Sequence, residues 1–367
     1  MKKILFIIYS YTMGGGAESL LTTIVNHLNP LKYKISIIEI VHSNVKIEPV
    51  NDNIEILPYM MEADDSDRKT KMYSFYHEWD KVIEKYIPHG YDLYVSFNMQ
   101  RPSFLLPPCG KNIAWIHSDL FFLANEDKKE EYQLQAQAFD KCKKIVAISD
   151  ITSQSIHQLF PEYNDRIVDL YNGVDVNLVK QKSQEQHNLF INHPALLYCG
   201  RLEERKQPKK AIDWLKELHK KGITAHLYYM GYGPLQDETK IYAEECQLDK
   251  YVHFLGYYEN PFPIMKEMDV TLMPSRWEGF PMNLLESVSL GVPFVSNLIG
   301  GATPLSCNGT VGKIVETSEE AADAIVSFIN MNSQERISRC ENAIRNYDVN
   351  NYTEQIQKLF DEVINGK

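Results

Sequence analysis

Short continuous apolar runs alternate along most of this chain with longer segments whose apolar positions recur every three or four residues. The first run, ILFIIY at 4–9, leads to Gly14-Gly15-Gly16, and a helical pattern follows over 17–28. Further runs at 35–41, 54–57, 93–97, 113–116 and 145–148 are separated by polar or helical stretches. Apolar runs of this length are buried on both faces, and strands that alternate with helices build a parallel sheet. A polar, pattern-poor stretch at 176–193 reads as a linker. A second set of strands then starts with ALLYC at 195–199 and continues with HLYYM at 226–230 and VHFLG at 252–256. The tail over 347–363 returns to helical spacing.

Composition adds the scale. With 367 residues, 44% of them apolar, the chain suffices for two ordinary domains with cores. Nothing in it approaches the roughly 18 apolar residues of a membrane-spanning helix. The opening MKKILFIIYSYTMGGG has the lysines of a signal peptide, but its apolar stretch is short and closes on glycines, so a buried first strand is expected. The six cysteines, at 109, 142, 199, 246, 307 and 340, form no Cys-x-x-Cys pair, which argues against zinc and a disulfide framework and for the cytosol. A net charge of −11 argues against nucleic acid as a partner. Lys128, Lys129, Lys141, Lys143 and Lys144 leave open a local basic face, through which the amino-terminal half would touch the inner face of a membrane. Asp65-Ser66-Asp67, in DDSDRKTK, reads as solvated surface and not as a metal site.

The stretch RWEGFPMNLLESVSLG at 276–291 changes the picture most. Glu278 and Glu286 stand eight residues apart, with Gly279-Phe280-Pro281 after the first acid and an apolar helical pattern around the second. Pro281 suits the first turn of a helix, which would put Glu278 at its mouth and Glu286 about two turns inside. Eight helical residues rise roughly 12 Å. Two carboxyls that share one glycosidic bond lie roughly 5 to 9.5 Å apart. The two acids are therefore expected to hold different parts of one long ligand. Open amides at a helix start suit phosphates, and carboxylates suit hydroxyls, so a nucleotide sugar has the right layout. An amphipathic helix with two solvated acids is the plainer alternative.

This stretch, EGFPMNLLESVSLGVPFV, resembles the signature of the retaining glycosyltransferase family 4. The same likeness recurs in order along the chain. GGGAE at 14–18 resembles the family's glycine-rich loop, with Gly15 and Gly16 facing donor phosphates and acceptor. A dinucleotide fingerprint would need a third glycine where Ser19 stands. His117, ending NIAWIH at the end of a predicted strand, resembles a histidine near the donor sugar. Asn172-Gly173-Val174-Asp175 resembles the turn at which the chain leaves the first domain, and Gly231-Tyr232-Gly233-Pro234 the Gly-x-Gly-Pro turn. Gly200-Arg201-Leu202 and Lys206 match the family's Gly-Arg-Leu and lysine, although Gln207 stands where a glycine is usual. Cleaving a sugar phosphate bond builds negative charge on the diphosphate, and two fixed cations at a strand end would neutralise it. Tyr257, Tyr258 and Asn260 would border the base. After Gly300 and Gly301 the family continues toward another glutamate, where this chain has Ala302, Thr303, Pro304 and Leu305.

The resemblance implies an α/β GT-B architecture of two Rossmann-like, doubly wound domains facing across a cleft. The expected boundaries are 1–175 for the acceptor domain, 176–193 for the linker, 194–345 for the donor domain and 346–367 for a last helix crossing back. It further implies catalytic roles for Arg201, Lys206, Glu278 and His117. Donor contacts would come from Gly15, Gly16, Gly231, Gly233, Tyr257, Gly279, Phe280, Pro281, Leu284 and Glu286. The implied substrates are a nucleoside diphosphate sugar, with UDP the usual base, and a saccharide or lipid-linked saccharide acceptor. Retention without cofactor or metal is expected. Two rivals stay open: a nucleotide-dependent oxidoreductase or epimerase, and a catalytically silent sugar-nucleotide-binding subunit.

Overall fold

The apolar run that opens the chain is β1 (Lys2–Ile8), and its residues from Ile4 to Ile8 are wholly buried. This computed structural model describes residues 1–45, 50–98, 100–108 and 110–366. It divides into two compact units, the first formed by residues 1–173 with the last helix, Val349–Asn365, and the second by residues 174–348.

In the first unit β1 is joined by β2 (Tyr33–Glu39), β3 (Ile54–Ile56), β4 (Leu93–Asn98), β5 (Asn112–Ile116), β6 (Lys144–Ala147) and β7 (Ile167–Asp169). Their order is β3-β2-β1-β4-β5-β6-β7, and every pairing is parallel. Ile4 pairs with Ile35 on one side and Leu93 on the other, so the strand order reverses at β1. Such a reversal is where open sheets leave a crevice for ligands. β7 escapes the sequence reading because none of its three residues is fully buried and its third is Asp169, so it forms no apolar run. The last helix presents Tyr352, Ile356, Phe360 and Val363 at helical spacing, and Phe360 packs against Phe6 with ring centroids 6.1 Å apart. Gly173 accommodates that helix, since a Cβ there would come within 2.6 Å of the Tyr352 ring. Close packing alone thus accounts for the glycine of Asn-Gly-Val-Asp.

The second unit repeats the design with β8 (Ala195–Cys199), β9 (His226–Met230), β10 (Val252–Gly256), β11 (Val270–Met273), β12 (Phe294–Ser296) and β13 (Gly312–Ile314). The order is β10-β9-β8-β11-β12-β13, again all parallel, with β8 at the reversal. Trp214, Tyr229 and Phe328 fill the space between sheet and helices.

The linker expected at 176–193 is corrected. Asp175 accepts a hydrogen bond from the Leu178 amide at 2.8 Å and caps a helix at Val176–Lys182. Val179 and Ile191 are buried, so the segment is anchored in the second unit. Cys142, Cys199, Cys246, Cys307 and Cys340 are free thiols, and Cys109 lies outside the described residues. Among the described residues no helix is long and apolar enough to cross a membrane.

Candidate active site

At the carboxyl ends of β8 and β9, the loops Gly200-Arg201-Leu202 and Gly231-Tyr232-Gly233 interlock through their backbones. The Gly200 amide donates to the Met230 carbonyl at 2.9 Å, and the Leu202 amide to the Tyr232 carbonyl at 3.2 Å. Gly231 has φ +131°, and a Cβ there would lie 2.2 Å from the Gly200 carbonyl oxygen. One on Gly233 would lie 2.3 Å from the Leu202 oxygen. Both glycines are therefore required by the chain itself, whatever else they contact.

Over these loops sits a tight group of charges. Lys206 Nζ lies 2.6 Å from Glu278 Oε1, and Arg205 Nη1 lies 2.7 Å from Glu278 Oε2. Glu203 holds Arg205 from the other side at 3.0 Å, and the Arg205 guanidinium lies over the Trp277 ring at 4.6 Å. The Glu278 and Lys206 side chains are only 9% and 14% exposed. Burial alone would raise the Glu278 carboxyl, but the Lys206 and Arg205 charges outweigh it and hold the group below its ordinary value. A carboxylate kept ionised in a shielded place by two cations is suited to gripping hydroxyls, and the cations to meeting phosphate.

Arg201, the other predicted cation, is not in this group. Its side chain is 70% exposed at the rim, with Nε 3.8 Å from Glu203. Arg205 and Trp277 were missed in the sequence, where a run as charged as RLEERKQPKK does not distinguish one cation from the next.

The helix after Glu278 runs Met282–Ser289, with Pro281 at its N-cap. Two expectations change with it. Pro281 is not a first-turn residue, and Glu286 is about one turn inside, so the 12 Å estimate, which assumed helix from Glu278 onward, does not apply. Leu284 is wholly buried on the inward face, and Phe280 is buried against Gly301 and Tyr347. Neither side chain is available to a donor: the amphipathic pattern of the helix turns Leu284 into the core, and Phe280, which precedes the helix, packs on Gly301 and Tyr347. Gly279 lies between Glu278 and Phe280 at intermediate exposure. Tyr257, 63% exposed, meets the equally exposed Tyr232 edge to face at 6.3 Å, a pair that the sequence reading did not make. Tyr258 packs on an apolar cluster, and Asn260 Nδ2 donates to the Lys182 carbonyl at 2.9 Å.

Burial pushes the Glu286 carboxyl up to about 7, against a smaller opposing effect of Lys182. Below its ordinary value of 4.5 the group is protonated folded or unfolded; between there and about 7 only the folded state keeps the proton. Stability attached to this residue is therefore full at acid pH and lost as pH rises through about 7. Comparing melting temperatures of wild type and Glu286→Gln from pH 4 to 8 should show the wild type losing ground as pH rises. His117 acts oppositely, so the difference between the two proteins isolates Glu286.

In the first unit, His117 follows β5 and meets Phe97 edge to face at 4.4 Å. Burial lowers its pKa to about 3, so the imidazole is neutral, and its Nε2 is buried without a hydrogen-bond partner among the described residues. Gly15 caps the helix Gly16–His27, and the buried Glu18 carboxylate is close enough that a Cβ on Gly15 would lie 2.6 Å from it. The Glu18 side chain thus already occupies that helix start, where the phosphate contact of Gly15 and Gly16 was expected. The basic face breaks up: Lys141 Nζ lies over the Trp79 ring at 3.8 Å and bonds the Phe104 carbonyl, Lys144 pairs with Glu362 and Lys128 with Glu131. Asp65 pairs with Lys71 and accepts from the Asp67 amide, as fits a surface turn.

Two all-parallel α/β units, with charged residues gathered where the second sheet reverses, define the GT-B class of glycosyltransferase fold. Residues 179–347 match the family model of glycosyl transferases group 1. The structure of HepE from Anabaena in complex with UDP and glucose superposes with a TM-score of 0.75 over 98% of this chain and 100% of that one, at 19% identity. The chain is 24% identical to the capsular polysaccharide biosynthesis glycosyltransferase CapH of Staphylococcus aureus over 312 residues, 79% of this chain and 81% of CapH. It is 32% identical to the O-antigen biosynthesis glycosyltransferase WclY of Escherichia coli over 136 residues, 35% of this chain and 37% of WclY. The match therefore spans little more than a third of WclY.

Proposed function

We propose that this chain is a retaining glycosyltransferase that moves a sugar from a nucleoside diphosphate sugar, with UDP the favoured base, to an acceptor hydroxyl in the synthesis of surface polysaccharide or glycolipid. The observation that carries the proposal is the buried Lys206–Glu278 ion pair beyond β8 and β11, inside the stretch that matches the group 1 family. The names of CapH and WclY, and the UDP and glucose bound to HepE, support the substrate class. In this reading Lys206 and the rim residue Arg201 meet the diphosphate as its charge grows. Glu278 accepts hydrogen bonds from the sugar hydroxyls, Glu286 from the ribose, and Tyr257 borders the base. The acceptor attacks from the face that the diphosphate leaves, and a departing phosphate oxygen takes its proton. Because side-chain cations neutralise the leaving group, no metal is needed, and transfer should survive EDTA.

The rival readings have less support. An oxidoreductase would leave the Lys206–Glu278–Arg205 group without a role, and a silent subunit would have no need to hold two cations on one shielded carboxylate. Thermal stabilisation by UDP, set against GDP, ADP and NAD, tests the donor class, and stabilisation by NAD alone would reject it. Transfer from a panel of UDP-sugars to membrane lipid extract, with the product anomer read by NMR, tests the rest: an inverted anomer rules out same-face attack. Arg201→Ala should reduce turnover about tenfold or more with little change in melting temperature, since an exposed side chain carries little stability.

A further inference from the structure

Gln207 stands where the resembled family usually has glycine, and its backbone explains why glycine is usual: φ is +47° and ψ +57°, the left-handed region. A side chain kept in a conformation that glycine adopts freely calls for a compensating contact. Turned so that both ends are satisfied, the Gln207 amide donates to the Pro274 carbonyl at 2.9 Å and accepts from Arg276 Nε at 3.1 Å. Both partners lie in the loop that leaves β11 and carries Glu278. Besides the two Glu278 ion pairs and the Arg205 bond to the Trp277 carbonyl at 3.2 Å, Arg276 ties the same loop to the 204–206 turn. The Arg276 amide donates to the Arg205 carbonyl at 2.9 Å, and Arg276 Nη2 pairs with Glu204 at 2.9 Å. Asn297 holds it from the other side, donating to the Pro274 and Ser275 carbonyls at 2.6 and 3.0 Å.

We propose that Gln207 is a positioning residue: its amide clamps the 274–278 loop to the turn bearing Arg205 and Lys206, so that Glu278 is already set against both cations before a donor arrives. The proposal rests on the donor-site reading above and deepens it. Pre-setting Glu278 matters for the sugar, which this carboxylate grips, and not for the nucleoside diphosphate, which meets other groups.

The test uses the full chain with Gln207→Gly, which removes the clamp while easing the backbone, and Gln207→Met, which keeps the volume without the amide. Gln207→Gly should melt no lower than wild type. In both variants amide hydrogen exchange over 275–279 should rise about fivefold or more, while exchange in the helix Pro208–Lys220 stays unchanged. UDP should bind within about twofold of wild type, and UDP-glucose should lose about fivefold or more, because only the sugar contact is loosened. Unchanged exchange at 275–279 in both variants overturns the clamp, as does an equal loss of affinity for UDP and UDP-glucose, which would mark a general structural defect. Should the wild type bind neither probe, the donor reading fails by itself, and the exchange result still decides the clamp.

Discussion

Lys206→Ala is expected to cut sugar transfer by about 10²- to 10³-fold, the usual consequence of losing one fixed donor that meets charge developing in a transition state. The structural cost should be smaller than for most buried ion pairs. Glu278 keeps Arg205 at 2.7 Å, so its charge is not left alone in the interior. Affinity for UDP should fall less than turnover, since the lysine acts mainly on charge that appears as the bond breaks. Lys206→Arg restores a cation but not its reach, because a planar fork cannot occupy the slot of a compact ammonium 2.6 Å from Oε1. It should stay well below wild type. Steady-state kinetics with the best donor from the UDP-sugar panel measure both effects, and wild-type turnover in Lys206→Ala would remove the residue from its assigned role.

The largest effect on stability is expected from Gly231→Ala. Its Cβ would stand 2.2 Å from the Gly200 carbonyl oxygen, and the obstacle is backbone, not a side chain that can swing aside. The residue also has φ +131°, outside the region that alanine tolerates. Together these should cost about 3 kcal/mol or more, a loss of roughly 6 to 12 °C in melting temperature for a unit of this size. Gly256→Ala separates the two causes, because its φ is +79° but nothing lies within 4 Å of the added carbon. It should lose only about 1 kcal/mol, the cost of the backbone conformation alone. Equal losses in the two variants would show that the interlocked loops part easily. Thermal and urea melts give the comparison.

Much of this architecture was legible before any coordinates. Buried parallel strands need continuous apolar runs, so the first six strands of the first unit and the first three of the second could be located from hydrophobicity alone. The glycines at 173, 231 and 233 could be marked as special, but the sequence does not say for what. The structure answers with a tyrosine ring at Gly173 and carbonyl oxygens at the other two. Helix ends were less readable. Pro281 fits a first turn as well as an N-cap, and a helix that starts at Met282, not at Glu278, leaves Glu286 about one turn inside it instead of two.

What the sequence alone determined is the alternation of strand and helix and the division into two units, because each depends on local period and composition, while the short list of charged residues came from the family resemblance. Which charges meet was decided only by the tertiary structure. RLEERK offers three cations within six residues, and the turn at Glu204–Lys206 directs Arg205 and Lys206 toward Glu278 while leaving Arg201 at the rim. Phe280 and Leu284 were likewise assigned to the core by packing, although the family resemblance had implied them as donor contacts. Pairing and burial depend on the distance between segments some 70 residues apart, such as Arg205 and Glu278, and no pattern within either segment records that distance.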